Sequence, residues 1–396
     1  MPSFKYFMQL IPVKDNTTTK QFILVAVELY KADPKWIRPL DKDINEVFDA
    51  KKNKAFRFGE VERWILKDSD GKLIGRIAAF VNKKYKNKGD DVATGGIGFF
   101  ECINNQAAAE LLLDNAKNWL IQKGMQAMDG PINFGERDKW WGLVTKGFDE
   151  PLYCMNYNPP YYVNLFEQYG FQLFFNQVCF GLHPKAPLEK KIHDRHAMYD
   201  NNPEFSGRHI RKDQLDKFAG DFTTIYNKAW AGHGGMKQME KKQVLLLFNK
   251  MKPVMDEKLI WFAYHKEEPI AMFVNIPDLN QWFKYLNGKF DLLSKLKFLW
   301  LKKFRANKKF CGVVFGVVPE WQAKGIDAYV IGESAKVIQQ PDVYYTEYEM
   351  QWIGDFNPKM VNIAESLGQT FRTKNLVTYR YLFDRTKEFK RHPMLE

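Results

Sequence analysis

One short segment between a predicted strand and a predicted helix has the residue types of a phosphate-binding corner. It covers residues 317–328 and reads VVPEWQAKGIDA. Main-chain N–H groups in the first turn of a helix lack partners within the helix and carry partial positive charge, so they bind phosphate. Gly325 lets the main chain approach a ligand without a Cβ in the way, and Pro319 ends the strand. The alternative is an ordinary strand-to-helix corner that contains a glycine.

The same segment argues against two common nucleotide sites. It contains neither the GxGxxG pattern of dinucleotide-binding folds nor the GxxxxGK[ST] pattern of nucleoside triphosphatases. It resembles instead the coenzyme A loop of the GNAT superfamily of N-acetyltransferases, Q/R-x-x-G-x-G/A, whose amides bind the diphosphate. Gln322, Lys324, Gly325 and Ile326 stand at matching positions, and Asp327 replaces the usual last glycine or alanine.

The resemblance extends over nearly the whole chain, to bacterial proteins with two GNAT-like domains in tandem. In the second half it is carried by the segments YNKAW (226–230), PDLN (277–280), EMQW (349–352), NPKM (357–360) and AESLG (364–368). In the first half it is carried by GFFE (98–101), GPIN (130–133), GFD (147–149) and YNPPYY (157–162). The resemblance implies a mixed α/β fold made of two tandem GNAT-like acyl-CoA N-acyltransferase domains.

GNAT chemistry is the direct attack of an amine on a thioester, helped by positioning, proton removal and stabilisation of the oxyanion. The resemblance therefore implies acetyl-CoA or a longer acyl-CoA as donor and a primary amine as acceptor, without a metal. In the family a strand N–H at a bulge holds the thioester carbonyl, which points here to Gly316–Val318 and to the N–H of Val318. The expected cofactor-binding residues are Val317, Val318, Gln322, Ala323, Lys324, Gly325, Ile326, Asp327 and Asn357.

The catalytic base has two candidates. Glu349 lies on the strand after the cofactor helix, where burial could raise its pKa, or it could simply pair with a lysine or a tyrosine. His233, in the loop AGHGG, has a pKa range suited to a base, although a loop histidine is more commonly an ordinary surface group. Several tyrosines could protonate the leaving thiolate, and the sequence does not choose among them.

Three further residues are candidates for contact with the acceptor, namely Trp230, Asp278 and Asn280. Asp278 and Asn280 follow a hairpin strand and could instead form an Asx turn beside Pro277. Asn357 has a simpler alternative to cofactor binding, because an asparagine followed by proline is typical of a helix N-terminus.

Length and element order both predict two domains. A chain of 396 residues is too long for one ordinary core. Each half reads as strand, helices, hairpin, strand, helix, strand, helix and strand, which predicts a mixed sheet with helices on both faces. We place one domain at 1–185, a linker at 186–207 and the second domain at 208–396. The first-half loop at 103–107 has no glycine, so we expect only the second half to keep an acyl-CoA site.

The net charge of +12 is concentrated in one stretch. Residues 281–310 contain nine Lys or Arg and one acid. One helical face within this stretch collects Leu293, Leu296, Trp300 and Phe304. The simplest interpretation is a surface helix that docks through this face. Peripheral membrane contact through 290–305, or a rim that attracts an anionic ligand, are the alternatives.

Composition favours a cytoplasmic globular protein. No run approaches the roughly 18 apolar residues that a bilayer-spanning helix needs, and the N-terminus lacks the layout of a signal peptide. The four scattered cysteines indicate reduced thiols rather than a metal site or disulfides. We expect a small or lipid-like amine as partner, no DNA, and a monomer or homodimer. Two other functions stay open: a FemX-like aminoacyl transferase that uses charged tRNA, and a non-catalytic acyl-CoA-binding protein.

Overall fold

The structure, a computed structural model, describes residues 8–230, 238–367 and 369–395. The first half folds, in chain order, as β1 (Gln9–Pro12), α1 (Asn16–Leu29), α2 (Asp41–Val47), β2 (Gly59–Lys67), β3 (Leu73–Asn82), β4 (Thr94–Cys102), α3 (Gln106–Gln122), β5 (Ala127–Gly130), β6 (Leu143–Lys146), α4 (Tyr162–Tyr169) and β7 (Gln172–Leu182).

The second half repeats much of this order and adds helices. It folds as α5 (Lys190–Asp200), β8 (Phe205–His209), α6 (Leu215–Trp230), α7 (Lys241–Met251), β9 (Ile260–His265), β10 (Glu268–Pro277), α8 (Asn280–Phe283), α9 (Leu292–Phe304), β11 (Lys309–Val317), α10 (Ile326–Ile338), β12 (Glu347–Met350), β13 (Ile353–Gly354), α11 (Pro358–Ser366) and β14 (Phe371–Leu382).

The strands form one mixed sheet in the order β1-β2-β3-β4-β5-β14-β7-β12-β11-β10-β9-β8. The last strands of the two halves, β7 and β14, pair antiparallel at its centre. β14 also pairs with β5 of the first half, and β7 also pairs with β12 of the second half. Each half therefore completes the sheet of the other. The predicted mixed α/β architecture is confirmed.

A buried ion pair joins the exchanged strand β14 to the first half. Arg380 donates from Nε to one oxygen of Asp129 at 2.6 Å and from a terminal nitrogen to the other oxygen at 2.8 Å. Both side chains are buried. Removing one partner of such a pair typically costs about 3–5 kcal/mol, because the other charge stays buried without compensation.

The predicted linker at 186–207 is instead ordered structure. It forms α5 and the start of β8, which pairs with β9 at the edge of the sheet. α5 packs on α10 where Gly332 leaves space for the ring of His196, since a Cβ at Gly332 would come within 2.2 Å of that ring. The sequence of α5 does not indicate a helix, because it is mostly polar and only Ile192 and His196 are buried.

α3 packs through one apolar stripe, and its members are all buried: Ala109, Leu112, Leu113, Ala116 and Leu120. The stripe recurs at the three- and four-residue spacing that a helix places on one face. Gly124, with φ of 78°, follows the end of the helix.

α9 docks through a different face from the one predicted. Ser294, Phe298 and Leu301 are buried, and the Phe298 ring lies 5.9 Å from Trp282 and 5.5 Å from Phe283 of α8. The predicted docking residues are exposed instead, with relative exposures of 77% for Leu293, 56% for Leu296, 59% for Trp300 and 63% for Phe304. Periodicity alone favoured the broader apolar face, whereas two aromatic partners on α8 fix the narrower one.

Candidate functional site

The predicted phosphate-binding corner lies between β11 and α10. β11 ends at Val317, a single 3-10 turn covers Pro319–Trp321, and α10 begins at Ile326. Gly325 is the N-terminal cap residue of α10 and has φ of 87°. Glycine adopts this left-handed conformation without the strain that a Cβ imposes. The glycine is therefore needed for the path of the main chain.

The first turn of α10 has no side-chain cap. Gln322 donates from its amide nitrogen to the carbonyl oxygen of Val317 at 3.0 Å, away from the helix. Ala323 and Lys324 are exposed. None of the N–H groups of residues 323–327 donates to another main-chain carbonyl in the described part of the chain. These N–H groups can therefore donate hydrogen bonds to an anionic group.

Helix α5 lies over one side of this corner. The Cβ of Arg195 is 3.4 Å from the position that a Cβ on Gly325 would occupy, and its guanidinium is 3.8 Å from the Asp327 carboxylate. Tyr199 donates its hydroxyl to the carbonyl oxygen of Lys324 at 2.5 Å. Arg195 offsets the negative charge that Asp327 brings to the corner. Its side chain is 40% exposed, so a ligand can reach it.

β11 and β12 separate well before the corner. Their parallel pairing ends where Gly312 lies beside Met350, whereas β11 continues to Val317. The main chain of 313–317, about 16 Å of extended strand, has no strand partner on that side in the described part of the sheet. A cleft between diverging strands that leads to a helix N-terminus can hold an elongated ligand with an anionic end.

A bulge in β11 marks the point of separation. The pairing of β10 with β11 shifts register at Val274, and the extra residue on β11 is Val313. A bulge takes main-chain groups out of the ladder. The bulge therefore lies at Val313 rather than at Gly316–Val318. The predicted carbonyl-binding role of Val318 is wrong, because its N–H donates to the carbonyl oxygen of Ile270 at 2.9 Å.

Tyr348 of β12 places a hydroxyl group at the same point. Its oxygen is 2.2 Å from the position that a Cβ on Gly312 would occupy, so only glycine at that position leaves room for it. The side chain is buried, and burial raises the pKa of the Tyr348 hydroxyl above its usual value. The hydroxyl therefore stays protonated at neutral pH and can donate a hydrogen bond to a negatively charged group.

The matching corner of the first half, before α3, is built differently. Asn105 caps α3, since its side-chain oxygen accepts the N–H of Ala108 at 3.0 Å. The Asn105 side chain thus pairs with an N–H group in the first turn of α3, whereas the first turn of α10 has no such side-chain partner. The strands before this corner separate at the equivalent point. The N–H of Ile132 donates to the carbonyl oxygen of Ile97 at 2.7 Å, and Ile97 is the fourth residue of β4, as Gly312 is of β11.

Comparison with known proteins gives two curated relatives and no family model that matches. Bacterial ceramide synthase of Caulobacter vibrioides is 25% identical over 368 residues, which cover 92% of this chain and 94% of the relative. Protein YghO of Escherichia coli is 25% identical over 357 residues, which cover 88% of this chain and 89% of the relative. Both alignments therefore span the two halves together.

Solved structures decide the fold. A tandem GNAT protein from the clavulanic acid biosynthesis pathway superposes with a TM-score of 0.53 at 10% identity, over 96% of this chain and 100% of that chain. A GCN5-related N-acetyltransferase from Sphaerobacter thermophilus gives 0.50 at 10% identity, over 98% and 97%. A GCN5-related glucosamine N-acetyltransferase region of a fungal multi-domain protein gives 0.54 at 12% identity, over 96% of this chain and 38% of that one. The chain has the tandem GNAT fold.

Glu349, a predicted base, is a buried ion-pair residue in this tandem GNAT fold. Its carboxylate contacts the ammonium groups of Lys309 at 2.5 Å and Lys374 at 3.4 Å, and the hydroxyl of Thr373 at 3.0 Å. Burial acts to raise the pKa of Glu349, but the two ammonium groups outweigh it and hold that pKa below its ordinary value. A carboxylate with a lowered pKa is a weak base. The structure thus places Glu349 in the lysine-paired role that the sequence left open.

Asp278 and Asn280 lie between the two GNAT-like halves. Asp278 is fully buried and accepts the N–H groups of Tyr153 and Asn280 at 3.2 Å each. Asn280 donates to the carbonyl oxygen of Pro151 at 2.8 Å. The bond from Asn280 to Asp278 is the Asx turn that the sequence offered as an alternative. Their surroundings suit a structural contact between the halves rather than contact with an acceptor amine.

The remaining predicted site residues do not join the corner in the described structure. Asn357 caps α11, accepting the N–H of Met360 at 3.3 Å, which is the simpler role foreseen for it. Trp230 ends α6, and its side chain lies outside the described residues. His233 lies wholly outside them.

A buried polar cluster in the first half was missed by sequence reasoning. Glu101 of β4 accepts hydrogen bonds from Tyr30 at 2.6 Å, Tyr162 at 2.8 Å and Arg76 at 3.2 Å. Burial raises the pKa of Glu101 above its ordinary value, although Arg76 opposes the rise. The four residues lie far apart in the sequence and share no motif. The local signals were the GFFE segment, which carries Glu101, and the YNPPYY segment, which ends at Tyr162.

A large cavity of about 770 Å³ is lined by the first half and by Lys250 of α7. Its walls include several aromatic side chains, among them Trp140 and Trp141. Seven cationic and three acidic residues line it, which are Lys42, Lys52, Lys54, Lys84, Arg137, Lys139, Lys250, Asp43, Glu46 and Glu136. Trp140 also lines the narrow cavity next to Glu101. A cavity of this size and lining can hold an amphiphilic ligand.

One group of metal-binding residue types occurs in the described residues, between α5 and α10. The ligand atoms of His196, Asp200 and Glu333 lie within 4.8 Å of one another. The ammonium group of Lys336 is 2.5 Å from Asp200 and 2.8 Å from Glu333. A cation of the chain itself therefore neutralises these carboxylates, and the network serves the packing of α5 on α10.

Proposed function

We propose that the protein is an acyl-CoA-dependent N-acyltransferase whose donor site lies in the second half. The observation that carries the proposal is the uncapped N-terminus of α10 at Gly325, which the free edge of β11 reaches. The diphosphate of coenzyme A binds the amides of residues 323–327, and Arg195 adds a positive charge beside them. The pantetheine arm extends along residues 313–317 towards the bulge at Val313.

Two similarities support transfer to nitrogen and the class of acceptor. Structural neighbours are named as N-acetyltransferases, and one relative is named as a ceramide synthase. Ceramide is a long-chain amino alcohol that carries an acyl group on its nitrogen. We therefore propose a lipid-like primary amine as the acceptor and a long-chain acyl-CoA as the donor.

The residues at the bulge account for the chemical step. The amine nitrogen forms a bond to the thioester carbon, the carbon–sulfur bond breaks, and coenzyme A leaves as a thiolate. The freed main chain at Val313 offers its N–H to the carbonyl oxygen as negative charge develops there. The Tyr348 hydroxyl passes a proton to the thiolate and regains one from the amine nitrogen, which loses it on becoming an amide, so the products are an amide and free coenzyme A. Glu349 is not assigned as the base, because its lowered pKa leaves it a poor proton acceptor.

Release of free thiol tests the proposal. The purified full chain is supplied with acetyl-, lauroyl- and palmitoyl-CoA and with primary amines that include sphinganine, and liberated coenzyme A is measured. We expect release only with an amine present, and about hundredfold slower release in Tyr348→Phe at unchanged affinity for coenzyme A. Binding of coenzyme A without release would indicate a binding protein instead. Aminoacyl transfer from charged tRNA would favour the FemX-like alternative.

The Gly325→Glu variant tests the location of the donor site. A carboxylate at the corner repels the diphosphate, so we expect affinity for coenzyme A to fall at least about hundredfold. Gly71→Glu is the matched control, because Gly71 also has a positive φ, of 77°, and no atom lies within 4 Å of the Cβ it lacks. If Gly325→Glu binds coenzyme A with unchanged affinity, the donor site does not lie at this corner.

A further inference from the structure

α9 exposes a concentrated apolar face to solvent. Six of its side chains are more than half exposed, with relative exposures of 73% for Leu292, 77% for Leu293, 56% for Leu296, 54% for Leu299, 59% for Trp300 and 63% for Phe304. Single exposed hydrophobic residues are ordinary on protein surfaces, whereas a contiguous patch marks an interaction site. The face therefore needs a partner.

This face is not required for the packing of the helix. α9 is already anchored through Ser294, Phe298 and Leu301, which lie on the other side of the helix. At 100° per residue, the six exposed residues span an arc of about 140° that points away from these three. α9 thus has two apolar faces, and only the narrower one packs against the rest of the protein.

The charge around the exposed face has one sign. Four lysines of α9, which are Lys295, Lys297, Lys302 and Lys303, flank or interrupt it. Asp291 is the one acid among residues 281–310, and it is engaged as the helix cap, accepting the N–H of Ser294 at 2.9 Å. A cationic apolar surface attracts an anionic one. It disfavours pairing with a second copy of the same cationic helix.

The length of α9 limits how it can meet a bilayer. Its 13 residues span about 20 Å, which is less than the hydrocarbon thickness of about 30 Å. Within the ranges that the structure describes, every helix falls short of the length and apolarity that crossing a bilayer requires. The geometry of α9 is that of a helix lying in the plane of the interface.

We propose that α9 docks the protein on an anionic lipid surface. The six exposed apolar side chains enter the boundary between headgroups and acyl chains, and the lysines contact lipid phosphates. Trp300 lies where tryptophan is most favourable in a bilayer, at the level of the interface. The partner is thus a lipid surface rather than a protein or a nucleic acid.

The same region adjoins the large first-half cavity. Phe290 precedes α9, and the ammonium group of Lys42 lies 4.7 Å from the centre of its ring. Lys42 also lines the 770 Å³ cavity. The N–H of Asp41 donates to the carbonyl oxygen of Gly288 at 2.8 Å, which ties α2 to the start of this segment. Docking through α9 would therefore hold that cavity near the lipid surface.

Sedimentation of the full chain with vesicles tests the proposal. We expect binding to vesicles of phosphatidylcholine with phosphatidylglycerol, binding at least about tenfold weaker to phosphatidylcholine alone, and weakening with salt. The double variant Leu296→Glu/Trp300→Glu is expected to lose at least about tenfold in binding. Ile121→Glu is the matched control, because Ile121 is 48% exposed on α3 and the change should leave binding intact.

Three results would overturn the proposal. The first is equal binding to neutral and anionic vesicles, or no binding to either. The second is unchanged binding in the double variant, provided that its thermal unfolding matches that of the native chain. The third is a dimer in lipid-free solution that the double variant dissociates, since the face would then belong to a second copy of the chain.

Discussion

The two halves share an order of strands but differ at one helix, which is α3 after β4 in the first half and α10 after β11 in the second half. In the second half α10 begins at Gly325 without a side-chain cap. In the first half Asn105 caps α3 with its own side chain. The second half therefore leaves amides open for an anion, whereas the first half satisfies one of them internally. A single capping residue thus distinguishes a candidate phosphate site from a closed corner on the same fold.

The side chains next to the bulges in β4 and β11 also differ between the two halves. Two residues beyond Phe99, at the register shift in β4, the first half places Glu101 in a cluster of buried polar groups. Two residues beyond Val313 the second half places Phe315, which packs on Phe273 with ring centres 5.7 Å apart. The first half has thus kept a polar interior and the second half an open corner.

Separating the halves has the largest expected effect. Residues 1–185 alone lack β14, so β5 loses a strand partner and Asp129 loses Arg380. We expect this fragment not to unfold cooperatively, as judged by circular dichroism on heating. A control that joins residues 369–396 to the fragment through a flexible linker should recover the transition. A cooperative transition in the fragment alone would show that the strand exchange is not essential.

Glu349→Gln comes next. It leaves Lys309 and Lys374 without their anion, and we expect a loss of about 3–5 kcal/mol in the free energy of unfolding at neutral pH. The lowered pKa of Glu349 means that its ionised form stabilises the fold above its ordinary pKa of about 4.5, and that this contribution is lost as the pH falls below that value. The gap between native chain and variant should therefore narrow in acid, as measured by urea unfolding.

The activity of the same variant separates the two roles of Glu349. Lower stability with retained thiol release supports the ion-paired role. Retained stability with abolished release would identify Glu349 as the base after all.

Arg195→Ala has a moderate expected effect. It removes the cation beside Gly325 and leaves Asp327 uncompensated, so we expect affinity for coenzyme A to fall about tenfold in calorimetric titration, and less at high salt. Lys191→Ala is the matched control on the same helix, because its side chain is exposed. A gain in affinity on removing Arg195 would mean that this side chain blocks the corner.

Asn105→Ala has the smallest expected effect. Loss of the cap should cost about 1 kcal/mol in the free energy of unfolding. Affinity for coenzyme A should not change, because the first-half corner has no glycine for close approach. A second equivalent of coenzyme A bound by this variant would show that the cap alone closed a functional site.

Local patterns predicted the parts of the fold that local forces determine. The glycine corner before α10 depends on neighbouring residues, and it lies where the sequence predicts it. The exchange of β7 and β14 depends on pairing between residues about 200 positions apart, and no local pattern specifies it. The sequence of α5 predicts a linker instead of a helix, because few of its residues are apolar.

The candidate site was predictable in the same uneven way. Gly325 indicated the corner in the sequence, because the main chain needs a glycine where φ is positive. The location of the bulge, and therefore the error over Val318, depended on a register shift between β10 and β11. The roles of Asp278 and Glu349 depended on partners from other segments, namely Tyr153, Lys309 and Lys374. Burial and pairing of this kind are properties of the folded chain.

Hydrogen–deuterium exchange with and without coenzyme A locates the bound diphosphate on the chain. If open amides before α10 hold the diphosphate, the ligand will slow exchange in residues 323–328 and leave the first-half corner at 103–108 unchanged. Slower exchange at 103–108 with no change at 323–328 would contradict the account, because it would place the ligand in the half whose helix is already capped.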